Sequence, residues 1–166
     1  MKKLMIAMML GVLCTVPVAY AEDKIEKFTT LKEAHAYLTE RKNHLELLGE
    51  INSDKAYIHD WKSDGCVTSY FQSGKGVSYG GHELRLRQEV VIDWSKVSEL
   101  RDLFTSRYRM FLVGGVSYQE YTLLVRGWQA RDSGTAVAFR PEDMSENDIK
   151  RTFNAMEFIH QQCKKR

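Results

Sequence analysis

Glu83-Leu84-Arg85-Leu86-Arg87-Gln88-Glu89-Val90-Val91-Ile92-Asp93 is the stretch that decides the fold. Leu84, Leu86, Val90 and Ile92 fall on one side of an extended chain, and Arg85, Arg87, Glu89 and Val91 on the other, which is the period of two of a half-buried strand. Working outward, similar runs are expected at Ala56 to Trp61, Cys66 to Gln72, Arg107 to Val113, Tyr118 to Trp128 and Thr135 to Arg140, separated by turns rich in Gly, Asp and Ser. Gaps this short favour antiparallel hairpins over crossover helices. The longest gap, Trp94 to Ser106, is expected to hold a short helix capped by Ser95, with Val97, Leu100, Leu103 and Phe104 facing inward.

On either side of these strands the period lengthens to that of a helix. Residues 30 to 49 are expected to form the first: Thr30 and Glu33 fit a capping box, Leu31, Ala34, Leu38, Leu45 and Leu48 share a broad face, and Gly49 suits the C-terminal end. The last helix follows Pro141, with Ser145 and Asp148 as its capping pattern and Met144 and Ile149 as a hydrophobic staple. Ile149, Phe153, Met156, His160 and Cys163 lie within about 40° of one line at 100° per residue, so the cysteine is expected to face the sheet. Phe158 lies on the opposite side and must either pack on another element or be exposed. The expected fold is α+β: a curved antiparallel sheet of five to six strands flanked by N- and C-terminal helices, with a partly closed barrel as a close variant.

Ahead of the first helix, Lys2 and Lys3 precede an apolar run from Leu4 to Val16, and Ala19-Tyr20-Ala21 supplies small residues where a signal peptidase needs them. The run is about 13 residues, within the usual span of a signal peptide and short of the roughly 20 that cross a bilayer. Residues 1 to 21 are therefore expected to be a cleaved signal peptide and residues 22 to 166 a single domain, delivered to the periplasm with no stable membrane anchor. A lipoprotein would acylate Cys14, but Leu13 stands before it where a small residue is needed. Without Lys2 and Lys3 the 24 basic residues fall to the number of acidic ones, 22. A neutral exported chain is a poor candidate for nucleic-acid binding.

Of three cysteines, cleavage leaves Cys66 and Cys163, an even pair in an oxidising compartment and hence an expected disulfide. Their separation offers no zinc spacing, and no metal site or cofactor is expected. The chain has no G-x-S-x-G elbow, H-E-x-x-H helix, phosphate loop or dinucleotide fingerprint, and no catalytic residue is assigned. His59-Asp60 and His82-Glu83 pair a base with an acid, yet neighbours in a strand point to opposite faces and do not by that alone form a dyad. His160 lies in the apolar stripe of the last helix and is expected to be a satisfied core histidine.

Three features suggest a contact surface. The segment Ser73 to Gly81 holds four glycines with Lys75 and Tyr79, a loop suited to meeting a partner. Arg85 and Arg87 share a strand face, as do Arg107 and Arg109; if those strands pair, four guanidinium groups gather where an acidic partner surface would be read. Tyr57, Trp61, Tyr70, Phe71 and Tyr79 concentrate near the glycine loop, and Trp61 ends a strand where it can serve as an anchor. Trp61, Lys75, Tyr79, Arg85, Arg87, Arg107 and Arg109 are the candidate partner-binding residues. The expected function is a non-catalytic periplasmic protein-binding module, such as an inhibitor or an immunity protein acting on an envelope enzyme or toxin, and not an enzyme. One alternative is a small-molecule or lipid pocket lined by Phe153, Met156 and Ile159. Another is an envelope hydrolase pairing an acid with a histidine, for example Glu83 with His59 or His82.

Overall fold

A computed structural model describes residues 27–48, 57–77, 83–104, 109–124 and 126–165. The expected leader with its Ala21 site, together with Gly49, Tyr79, His82 and Arg107, lies outside them. The architecture is α+β, with seven antiparallel strands and a helix at each end of the described chain. In chain order these are α1 (Leu31–Arg41), β1 (Leu45–Leu48), β2 (Tyr57–Asp64), β3 (Val67–Val77), β4 (Glu83–Asp93), β5 (Glu99–Phe104), β6 (Arg109–Leu124), β7 (Gly127–Pro141) and α2 (Glu146–Lys164). The sheet runs β1-β7-β6-β4-β3-β2, with β5 paired to the remaining length of β6. It is not closed, so the barrel variant is not realised, and it has at least one strand more than expected.

Two strands, β1 and β5, come from segments expected to be helix. α1 starts as expected, the Thr30 hydroxyl accepting from the Glu33 amide at 3.1 Å while the Glu33 carboxylate accepts from the Thr29 amide and hydroxyl. It stops at Arg41 instead of residue 49, turns through a short 3₁₀ segment at Lys42–His44 and becomes β1. Leu45-Glu46-Leu47-Leu48 is too short for periodicity to separate helix from strand, and the register Leu45↔Pro141 through Leu48↔Ala138 on β7 decides the matter. Likewise the expected helix after Trp94 is a turn followed by β5. Ser95 does not cap a helix; its amide and hydroxyl both donate to the Asp93 carboxylate, at 3.1 and 2.6 Å. Val97 is buried as expected, but Phe104 is 83% exposed.

The strand expected at 107–113 and most of that expected at 118–128 form one strand, β6, bent by a bulge at Gly114 and Gly115, while Gly127 and Trp128 begin β7. Gly115 has φ +79°, and a Cβ there would lie 2.5 Å from the Lys96 carbonyl oxygen, so glycine alone permits the bulge. The bulge resets which residues face inward: Phe111 and Val113 before it, Val116 after it. β6 thereby pairs with β5 along its first half and with β4 along its second.

One face of the sheet carries the core. Tyr70, Val90, Ile92, Phe111, Val113, Val137 and Phe139 pack there with Ala34 and Leu38 of α1 and Ala155, Met156, Ile159 and Cys163 of α2. The expected line of α2 is rotated by part of a turn, because the helix is covered on two flanks. Phe153 and His160 face the sheet side, the Phe153 ring 5.3 Å from Phe111 and His160 Nδ1 donating to the Trp94 carbonyl at 2.9 Å. Phe158, on the other flank, packs against Phe28, which also meets Tyr37 of α1. Ser145 caps α2 as expected, its hydroxyl accepting from the Asp148 amide at 3.1 Å. The Asp148 carboxylate accepts in turn from Ser145, Arg41 and Tyr37, and those bonds, Ser145's first, hold its carboxyl below the usual carboxylate range.

The sulfurs of Cys66 and Cys163 stand at bonding distance, 2.03 Å, with Cα atoms 5.6 Å apart. This bridge ties the last turn of α2 to the β2–β3 turn. His35 of α1 joins the same corner: the residue is 7% exposed and its Nε2 donates to the Gly65 carbonyl at 2.8 Å. Burial pushes the His35 pKa below the ordinary 6.5, outweighing the opposing effect of that bond. The unfolded chain therefore binds the proton more readily than the folded one. Stability from this group is complete above about pH 6.5 and is lost as pH falls below it. The urea midpoint should drop between pH 7.5 and 5.5, and His35→Gln should flatten that slope; an unchanged slope in the variant would contradict the assignment.

Candidate functional site on the open face of the sheet

Alternation along β3 and β4 divides their side chains. Thr68, Tyr70 and Gln72 of β3 and Leu86, Gln88, Val90 and Ile92 of β4 are buried on the helix side. Ser69, Phe71 and Ser73, with Arg85, Arg87, Glu89 and Val91, take the other face, which no described helix covers. At its centre lies Phe71, approached from both neighbouring strands. The His59 ring of β2 stacks on it at 5.9 Å and 22°, and the Arg87 guanidinium of β4 sits 3.8 Å from the ring centroid. Such a stack fixes a cation and an imidazole in place and keeps both at the surface.

His59 is also the middle of a hydrogen-bonded chain. Its Nδ1 lies 3.0 Å from Asp60 Oδ2 and its Nε2 lies 2.8 Å from Ser73 Oγ. An ionised carboxylate only accepts, so Nδ1 carries the proton and Nε2 accepts from the serine hydroxyl. Strict alternation would keep His59 and Asp60 apart. The register of β2 on β3 shifts between His59 and Lys62, and Asp60 takes φ +53°, a left-handed conformation that asparagine and aspartate tolerate best outside glycine. The bulge turns the Asp60 carboxylate back onto its neighbour and supplies what strand alternation alone does not. The His59 bond is the main cause that lowers the Asp60 carboxyl below its ordinary value. Side-chain exposures of 42% and 62% leave the pair open to solvent.

The structure disperses much of the expected contact set. Trp61 lies on the core side, its indole stacked on Tyr70 at 4.9 Å and 12°, and is withdrawn from the open face. Arg109 does not join Arg85 and Arg87. β4 meets β6 only from Leu86↔Thr122 to Val91↔Ser117, whereas Arg109 stands at the far end of β6 opposite Phe104. There it bridges Asp102 of β5 and Glu146 of α2, with 15% of its side chain exposed. The Asp102 carboxylate, with Glu146 beside it, raises the guanidinium's proton affinity further, making Arg109 an internal fastening. Arg85 and Arg87 do share the open face, opposite Lys75 and Ser73 in register. The Lys75 side chain, Tyr79 and Arg107 lie outside the described residues, as do His82 and the Glu83 side chain of the acid–histidine alternative.

Phe153, Met156 and Ile159, expected to line a ligand pocket in that alternative, pack into or against the core. A cleft of about 510 Å³ does exist among the described residues, lined by Leu31, Lys32, His35, Ala36, Thr39, Ser63 and Gly65. Among the same residues no group of three or more His, Cys, Asp or Glu is placed to hold a metal ion, and no helix is long and apolar enough to cross a membrane. The chain matches no family model, no curated protein and no solved structure.

Proposed function

We propose that this chain is an exported protein-binding module of the inhibitor or immunity type, meeting an envelope enzyme or toxin through the open face of β2, β3 and β4. The observation that supports it is the His59–Phe71–Arg87 stack on a sheet face that no described helix covers. Arginine and aromatic side chains dominate binding hot spots, and groups already ordered in the free protein lose little entropy on association. Val67 and Val91 add exposed apolar surface on the same face, 39% and 37% open. Arg85 and Arg87 suit an acidic partner surface, Arg87 through its planar fork.

The test is capture of the partner, cross-linked from envelope extract, by variants of this face. Arg87→Glu and Phe71→Ala are each expected to weaken capture roughly 30-fold or more, the loss of one hot spot. Lys96→Ala, at a side chain 77% exposed beside the β4–β5 turn, should leave it unchanged. Full capture by Arg87→Glu at an unchanged melting temperature would end the reading.

A second reading, the acid–histidine hydrolase, is favoured by one specific observation. Asp60, His59 and Ser73 form a continuous hydrogen-bonded chain that ends on a hydroxyl.

A further inference from the structure

We infer that Ser73 is a nucleophile, activated by His59 and oriented through Asp60, which takes the acyl group of small carboxylic esters. The inference rests on the second reading above and names its nucleophile and substrate class. Both links of the chain, 2.8 Å from hydroxyl to base and 3.0 Å from base to acid, lie within the reach that proton transfer requires. The tautomer is the productive one, because Asp60 fixes the proton on Nδ1 and leaves the Nε2 lone pair toward Ser73. Phe71 supports the imidazole from below.

A nucleophile and a base also need a place for the charge that develops on the substrate's carbonyl oxygen. Arg87 stands directly across the β3–β4 ladder from Ser73 on the same face, where opposed side chains start about 5 Å apart. Its guanidinium is held on this face by the Phe71 ring, 3.8 Å from the ring centroid, so the cation is already in place before a substrate arrives. It also lies near enough for its charge to act on Asp60. Three residues from two strands thus supply nucleophile, base and orienting acid, and a fourth from β4 supplies a cation.

The chemistry closes without any further reagent than water. Ser73 Oγ bonds to the ester carbonyl carbon, its proton passes to His59 Nε2, and the carbonyl electrons move to the oxygen held by Arg87. Collapse breaks the bond to the leaving oxygen, which takes the proton from His59. Water then attacks the acyl-serine, gives its proton to His59 and releases the carboxylic acid, and the proton returns to Ser73. Because His59 and Asp60 are open to solvent, water screening limits the rate.

The purified mature protein should be treated with a fluorophosphonate and read by intact mass and peptide mapping, and its turnover of p-nitrophenyl acetate followed in parallel. A single adduct on Ser73 is expected. Ser73→Ala should abolish the adduct, and Ser73→Ala and His59→Ala should each slow p-nitrophenol release by roughly 100-fold, the lower range for general-base catalysis. Asp60→Asn should slow it less, and the melting temperature should hold in all three. Hydrolysis that depends on His59 with no adduct on Ser73 would overturn the nucleophile and leave a water-activating acid–histidine hydrolase. No hydrolysis dependent on His59 would overturn both.

Discussion

Replacing Cys66 and Cys163 together by alanine is expected to cost about 4.7 kcal/mol of stability, the loop-entropy value for a closed ring of about 100 residues. The two residues are 97 apart in sequence, so the ring encloses β3 to β7 and nearly all of α2, and leaves α1, β1 and β2 outside it. At roughly 2–4 °C per kcal/mol this corresponds to a fall of about 10–20 °C in melting temperature. Cys163 is 2% exposed, so its alanine variant also gives up some packing. Thermal unfolding of the double variant beside the oxidised and reduced wild type gives the answer. The reduced protein and the variant should melt together, well below the oxidised form. A variant that melts with the oxidised protein would show that the corner is held by packing alone.

Trp94→Ala should have an effect of similar size for a different reason. Trp94 is 1% exposed and its indole N–H donates to Thr68 Oγ1 at 2.9 Å. Its amide donates to the Cys66 carbonyl at 2.8 Å and its own carbonyl accepts from His160. One residue thus joins the β2–β3 turn, the end of β4 and α2. Truncation removes a large buried ring and orphans the hydroxyl of Thr68, which is itself fully buried, for a loss of about 3–5 kcal/mol. Trp94→Phe keeps most of the ring and loses the bond, so it should cost about 1–3 kcal/mol. Denaturant midpoints of the two variants separate the terms. Equal midpoints would mean that the hydrogen bond, and not the ring, carries the effect.

The sequence was legible where local pattern and tertiary demand agree. β4 runs from Glu83 to Asp93 as its alternation predicts, because β3 pairs along its whole length, β6 pairs along its middle, and one face is buried. The start of α2 follows from Ser145 and Asp148, and the Cys66–Cys163 pairing from the two cysteines that remain beyond the expected leader. Leu45–Leu48 and Glu99–Phe104 carry a helical pattern yet form strands, because short apolar segments take their conformation from the edge they dock against. For β1 that edge is β7, and for β5 the first half of β6. The join of 107–113 to 118–128 depends on the bulge at Gly115, whose need for glycine is set by the Lys96 carbonyl, far from it in sequence.

The site was legible only in its ingredients. His59, Phe71 and Arg87 were each singled out, but the stack among them follows from the registers His59↔Phe71 and Ser73↔Arg87, which no local pattern specifies. The pairing of His59 with Asp60 needs a bulge and a positive φ, both invisible to alternation. Ser73 was visible only as the first residue of a glycine-rich loop, and β3 extends through it to Val77 instead of ending at Gln72. Arg109 has the opposite history: its charge suggested a partner, and Asp102 and Glu146 claim it internally.

We propose that an exported chain becomes a stiff platform because its last helix is bonded to the corner of the sheet from which β2 and β3 present their open face. The most direct measurement is a non-reducing peptide map of the mature protein isolated from the cell envelope. The expected result is an N-terminus at Glu22 and one cross-linked peptide pair joining Cys66 to Cys163. Two free thiols in a protein that retains residues 1–21 would contradict it.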